Sequence, residues 1–184
     1  SRTFMILVIS GTNRPGSRTK LVADACYDYL SEVYQGEVRF LTMEDLPDET
    51  LGKHMYDKHK MPADLVRIQD ELVIPAESWL IISPEYNGSF PGVLKLFVDA
   101  ISVRRYKETF AGRRAGLIGV ASGRAGNLRG LEHLTGFLNY LEVTVFPNKL
   151  PVSSIESQIV DGNLKEEAKQ TLHNFLNAYL AWHN

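Results

Sequence analysis

Gly11-Thr12-Asn13-Arg14-Pro15-Gly16-Ser17-Arg18-Thr19 places glycines, hydroxyls and arginines between an apolar run and a helical pattern. Backbone N–H groups at such a helix start, aided by the helix dipole, attract a dianion. The hydroxyls of Thr12, Ser17 and Thr19 are placed to donate to phosphate oxygens, and Arg14 adds a fork of charged donors. Two nucleotide motifs compete for the same residues. Gly11 and Gly16 have P-loop spacing, but Ser17-Arg18 stands where Lys-Ser/Thr is required, and no G-x-G-x-x-G follows. An ordinary strand-to-helix turn needs only one capping hydroxyl, such as Ser17. Three hydroxyls and an arginine exceed that need, so the segment reads as a phosphate cradle.

A second loop, Ser83 to Lys95, holds Pro84, Pro91, Gly88 and Gly92. These residues impose an unusual backbone path and free N–H groups to face a ligand. A flat heteroaromatic ring needs such donors along one edge and an aromatic or apolar wall, which Tyr86 and Asn87 can supply. The competing reading is a proline-rich or hairpin-like structural turn. A third loop, Ser122-Gly123-Arg124-Ala125-Gly126-Asn127, has the same polar and glycine-rich character.

The elements that must position these loops are legible in the hydrophobic pattern. Phe4–Ile9, Ser78–Ser83 and Ala115–Ala121 are continuous apolar runs of the kind found in strands buried on both faces. Val38–Met43 is a further strand, and a fifth is expected around Val143–Phe146. Between them lie helical patterns: Ser17 to Gly36, Leu65 to about Pro75, from Pro91 onward, Leu128–Leu138 and Leu164–Trp182. Five alternations of strand and helix predict an α/β fold of three layers, a doubly wound five-stranded parallel sheet between helices. The order 2-1-3-4-5 fits, and it puts a ligand at the carboxyl ends of strands one and three, where all three loops emerge. The chain reads as a single domain over residues 1–184. Glu44 to Pro62 is polar and long for a connection, which suggests a lid.

Composition narrows the function. Twenty basic and 22 acidic side chains give a formal charge of −2, which offers no overall attraction to nucleic acid or an anionic membrane surface. No apolar stretch approaches the roughly 18 residues of a membrane span. The run from Phe4 to Ile9 is short for a signal peptide core and leads into a glycine turn, so a cytoplasmic protein is expected and the sequon at Asn87 carries no glycan. The lone Cys26 reads as a buried small hydrophobe. His54, Asp57 and His59 match no metal-ligand spacing, so no metal is expected and a solvated loop is favoured. His133 and His173 lie in helical patterns as surface or packed polar residues. The basic run Arg104, Arg105, Lys107, Arg113 and Arg114 is read first as a solvated face, with the extra phosphate of NADPH or a second subunit as alternatives.

The second loop resembles the P-E-Y-N-x-S-x-P-G-x-L-K signature of the NAD(P)H-dependent FMN reductases, flavodoxin-like relatives of quinone, azo and chromate reductases. The first loop resembles their G-S-x-R-x-x-S-x-N/T pattern at Gly11, Thr12, Arg14, Ser17 and Thr19, and the likeness runs from about Phe4 to Leu141. The resemblance implies FMN as cofactor and NADPH or NADH as co-substrate. Hydride would pass from nicotinamide to FMN N5 and on to a quinone, flavin, azo or similar small acceptor. It further implies that Gly11, Thr12, Arg14, Ser17 and Thr19 hold the phosphate. Pro84, Glu85, Tyr86, Asn87 and Gly88 would border the isoalloxazine, and Ser122, Gly123, Arg124 and Gly126 complete the pocket. No catalytic acid or base is implied, because the chemistry belongs to the cofactor. A homodimer or homotetramer is implied as well.

Two departures concern the side that meets nicotinamide or acceptor. Asp99-Ala100-Ile101-Ser102-Val103-Arg104 replaces a D-W-x-S-R stretch, and Ala125-Gly126 replaces paired glycines. The alternatives are a flavodoxin-type electron carrier or a non-catalytic flavin-binding redox sensor. The carrier normally shows a T-x-T-G-x-T loop and a strongly acidic docking face, and this chain has neither.

Overall fold

The computed structural model describes residues 2–184, the Leu51 side chain excepted. Strand β1 (Met5–Ser10) lies inside the sheet, with β2 (Val38–Thr42) on one side and β3 (Ala76–Pro84) on the other. Strand β4 (Arg114–Val120) follows β3 and β5 (Thr144–Val145) follows β4, so the parallel order is β2-β1-β3-β4-β5, as the alternation of elements predicts. Along β1, Ile6 and Val8 point to one face while Leu7 and Ile9 point to the other, and all four are buried. A strand apolar on both sides must be covered on both sides. Helices α1 (Arg18–Val33) and α6 (Glu166–Trp182) cover the first face. Helices α2 (Ala63–Ile68), α3 (Gly92–Ile101), α4 (Tyr106–Phe110) and α5 (Leu128–Tyr140) cover the second.

The fifth sheet position differs from the single strand expected. It is two short segments, β5 (Thr144–Val145) and β6 (Leu150–Val152), each paired in parallel with β4. Phe146 N–H still donates to Ala115 O at 2.8 Å, but Pro147 has no N–H to continue the ladder. The chain leaves the sheet at that proline and rejoins it at Leu150. A second difference follows it. Leu164 belongs to a small antiparallel hairpin of β7 (Ile159–Val160) and β8 (Asn163–Leu164), and the last helix opens only at Glu166. The segment Glu44 to Pro62 is built from three short 3₁₀ turns, one capped by Thr42 and one by Asp57.

The basic run is tied to the scaffold by charge. Arg104 forms a bidentate pair with Asp70 at 2.7 and 2.9 Å, and Arg105 bridges Asp70 and Glu108. The Arg104 guanidinium accordingly holds the Asp70 carboxyl below its ordinary range. Buried Gln69 anchors the same corner by donating to Ile101 O and Arg104 O at 2.8 and 2.7 Å. Arg113 donates to backbone carbonyls, and Arg114 to His183 O with its guanidinium over the Trp182 ring. Trp79 and Phe110 are core, whereas Tyr106 is half exposed. Among the described residues no helix is long and apolar enough to cross a membrane, and no group of acidic, histidine or cysteine side chains is arranged to hold a metal ion.

Candidate active site

Loop one begins where β1 ends. Gly11 N–H donates to Ile82 O at 2.8 Å, and a Cβ at Gly11 would lie 2.6 Å from that same oxygen. Only glycine permits so close an approach of the ends of β1 and β3. Thr12 is fully buried and joins two loops: its hydroxyl lies 2.8 Å from the Tyr86 hydroxyl and accepts from Arg14 N–H at 3.2 Å. Ser17 caps α1 by accepting from Lys20 N–H at 3.1 Å, which leaves its hydroxyl hydrogen free to donate outward. Thr19 is buried in the first turn of the helix. The Arg14 guanidinium has no hydrogen-bond or ion-pair partner among the described residues, and the same is true of the guanidinium groups of Arg124 and Arg129. Arginines elsewhere in the fold are paired, so unspent guanidinium groups are concentrated at this edge of the sheet. Ser10, the last residue of β1, has a buried hydroxyl with no partner at the foot of the loop.

Loop two leaves β3 at Pro84, and Glu85 N–H is held by Val120 O at 3.0 Å. Its tip is a tight turn in which Tyr86 and Ser89 exchange backbone hydrogen bonds of 2.9 and 3.3 Å. Asn87 and Gly88 occupy the centre with φ of 55° and 80°, the left-handed pair of a type I′ turn. The hairpin-like turn and the ring-facing loop are therefore parts of one segment. Pro84, Glu85 and Tyr86 face the cleft, while Gly88 lies beside Arg129 of α5 and the Ser89 hydroxyl is 2.7 Å from His133 Nδ1.

Loop three is fastened from both ends. Gly123 O accepts from Ser154 N–H at 3.0 Å, and Gly126 packs on Pro151. Asn127 has a left-handed φ of 66° and is fully buried. Its amide nitrogen donates to Ser83 O and Pro84 O at 3.1 and 2.9 Å, and its oxygen accepts from Gly130 N–H at 3.1 Å. One side chain thus caps α5 and binds loop three to loop two. Sequence reasoning placed Asn127 in the loop but not among the site residues. Its role depends on where the last carbonyls of β3 arrive, which no local motif records.

Between the loops lies a cleft of about 490 Å³. Its walls are Arg14 to Thr19 from loop one, Pro84 to Tyr86 from loop two, Val120 to Ser122 from the end of β4, and Ile155 with Glu156. Of the expected site residues, Arg14, Ser17, Thr19, Pro84, Glu85, Tyr86 and Ser122 thus meet on one cavity. Gly11, Thr12, Asn87, Gly88, Gly123, Arg124 and Gly126 are not part of its walls. The expectation omitted Pro15, Gly16, Arg18, Val120, Ala121, Ile155 and Glu156. The last two come from a turn after β6 whose sequence carries no recognisable motif. At one end the cleft offers helix N–H groups, hydroxyls and a free guanidinium for a phosphate. At the other it offers proline, tyrosine and backbone surfaces for a flat ring. The residues present fit FMN.

Comparison with known proteins agrees with this geometry. The family model described as NADPH-dependent FMN reductase matches residues 4–157. An NADPH azoreductase from Bacillus sp. (strain OY1-2) is 28% identical over 181 residues, covering 96% of this chain and 92% of the relative. A 2-hydroxy-1,4-benzoquinone reductase from Burkholderia sp. is 30% identical over 180 residues, covering 96% and 94%. Among solved structures, the flavoenzyme NAD(P)H:(acceptor) oxidoreductase of Paracoccus denitrificans superposes with a TM-score of 0.78 at 22% identity, covering 98% of this chain and 97% of that one. A flavodoxin of Fusobacterium nucleatum bound to flavin mononucleotide superposes at 0.58 and 12% identity, covering 97% and 98%. The flavodoxin-like fold, the cleft at the switch point and the matched family model lead to one assignment: this chain belongs to the NADPH-dependent FMN reductase family and is an NAD(P)H-dependent oxidoreductase with FMN as its cofactor.

Proposed function

We propose that the chain passes reducing equivalents from NADPH or NADH to a small acceptor of the quinone, flavin or azo class, with FMN held in the cleft between loops one, two and three. The observation that carries this reading is the cleft itself, which joins the start of α1 and the free Arg14 to the Pro84–Tyr86 wall. FMN supplies the two-electron relay, and the protein supplies binding, orientation and electrostatics. Arg14 and the first N–H groups of α1 neutralise and anchor the phosphate, and the outward-donating Ser17 hydroxyl adds a directed bond. Pro84 to Tyr86 fix the plane of the ring, with the Tyr86 hydroxyl tethered to Thr12 so that loops one and two keep a constant spacing. Asn127 holds loop three against loop two and so sets the width of the cleft. No side chain is assigned as a proton donor or acceptor. We further propose that the whole chain acts as one domain in the cytoplasm and assembles as a homodimer or homotetramer.

The decisive experiment is anaerobic reduction of the purified protein reconstituted with FMN. Addition of NADPH or NADH is expected to bleach the flavin band, and a quinone to restore it. Bound flavin that neither nucleotide reduces would sink the enzymatic reading and leave an electron carrier or sensor. Arg14→Ala is expected to weaken FMN by roughly ten- to a hundredfold, the loss of a charge-assisted fork, while riboflavin affinity changes far less. Equal losses for the two ligands would place Arg14 away from the phosphate.

A further inference from the structure

Arg18 and Glu156 face each other across the phosphate end of the cleft and line the same cavity as Ser17 and Thr19. Arg18 is the first residue of α1, and Glu156 sits on the short 3₁₀ turn Ile155–Gln158. That turn is pinned to the end of β4, because Ile155 N–H donates to Ala121 O at 3.0 Å. Arg18 Nε and Nη2 reach the two Glu156 oxygens at 3.0 and 3.3 Å, and the two side chains are 49% and 64% exposed. We propose that Arg18 is a phosphate ligand held in reserve by Glu156, so that this carboxylate sets how tightly the cleft holds FMN. The inference rests on the reading of the cleft as an FMN site.

Charge is the first argument. The formally charged side chains of the cavity wall are Arg14, Arg18, Glu85 and Glu156, which cancel. A phosphate monoester brings a charge of about −1.5 to −2. Of the two arginines only Arg14 is unengaged in the free protein, which leaves the anion under-compensated until Arg18 turns from its carboxylate. Energy is the second argument. An ion pair this exposed contributes little to the folded state, so exchanging it is cheap. Helix N–H groups already hold the phosphate at a fixed point one residue from Arg18, where a guanidinium fork gains charge-assisted bonds. Glu156 is then left facing solvent near a like charge. It therefore opposes binding of the phosphorylated ligand and is indifferent to riboflavin. A cleft whose own carboxylate competes for a phosphate-binding arginine holds FMN exchangeably rather than permanently.

The test compares R18Q, E156Q and wild type in the full chain, titrated with FMN and with riboflavin. R18Q is expected to weaken FMN about tenfold, whereas E156Q tightens it by roughly two- to fivefold, the range of an exposed pair released. Riboflavin should change by less than about twofold in both, because it carries no phosphate. FMN binding that weakens or stays unchanged in E156Q overturns the proposal, since the pair would then be a clasp or a bystander. A parallel shift for riboflavin overturns it as well. Thermal stabilisation by inorganic phosphate separates this idea from the flavin reading. The exchange requires the phosphate effect to be largest in E156Q and smallest in R18Q. That order in a protein that binds neither flavin would discard the FMN site and keep the exchange; equal phosphate effects in all three proteins would discard the exchange.

Discussion

Asn127 shows how much of a site can hang on one side chain. Its amide satisfies two strand-end carbonyls and a helix N–H, all in a fully buried position, with a backbone in the left-handed region. Asn127→Ala removes every one of those bonds and keeps a Cβ at a positive φ without the polar side chain that lets asparagine tolerate it, so it is expected to cost about 2–4 kcal/mol. Asn127→Gly loses the same bonds but not the backbone comfort, and should be less damaging by about 1 kcal/mol. Urea unfolding of the two variants checks the order. Finding glycine worse than alanine would mean that the left-handed geometry does not matter there. The phosphate loop was legible in sequence because hydroxyls, glycines and Arg14 are contiguous and their chemistry is local. Asn127 was not, because its partners at Ser83 and Pro84 are more than 40 residues away. Glu156 was hidden for the same reason, since its partner Arg18 lies 138 residues before it.

At the level of elements, β4 carries two glycines that face opposite layers. A Cβ at Gly116 would lie 2.7 Å from the buried Tyr179 ring of α6. A Cβ at Gly119 would lie 2.3 Å from Gly126 O in loop three. Gly116→Ala is therefore expected to lower stability by about 1–3 kcal/mol through overpacking, with flavin affinity little changed. Gly119→Ala should push loop three outward and weaken flavin binding more than its stability loss explains. Paired unfolding and flavin titrations distinguish the two, and equal effects on binding would contradict the division. The central strands could be read from sequence because a strand buried on both faces must be apolar throughout, as in Leu80, Ile81 and Ile82. The shortest segments escaped for the opposite reason. Segments of two or three residues such as β6, β7 and β8 are held by register with β4 or by a turn, and carry too few side chains to show a period.

Across the whole molecule, the binding loops gather at one edge of the sheet while a separate polar lock closes the other. His183 Nδ1 lies 2.8 Å from Tyr179 O, and Nε2 lies 2.8 Å from Ser78 Oγ at the start of β3. A carbonyl only accepts, so Nδ1 carries the proton and neutral Nε2 accepts from the serine. Ser78 also meets the buried Tyr179 hydroxyl, which ties α6 to the sheet. Burial pushes the His183 imidazole below its ordinary value, against the pull of the Tyr179 carbonyl and with help from Arg114. The unfolded chain then binds the proton first as pH falls past about 6.5, so the stability from this group is complete above that pH and is lost toward the lower folded value. His183→Gln should flatten the dependence of Tm on pH between about 5 and 7 relative to wild type. An unchanged slope would assign the acid limb to carboxylates such as Asp70 instead.

Cys26, the only cysteine, is fully buried on α1 against the first face of the sheet, and burial pushes its thiol well above the ordinary range. Quinones, one of the acceptor classes proposed above, are electrophiles that alkylate thiolates by conjugate addition, so a protein reducing them would be exposed to inactivation by that acceptor. Here the single soft nucleophile is kept protonated and out of reach. The folded protein should survive prolonged contact with benzoquinone with no thioether adduct at Cys26 by mass spectrometry, and the denatured chain should acquire one at once.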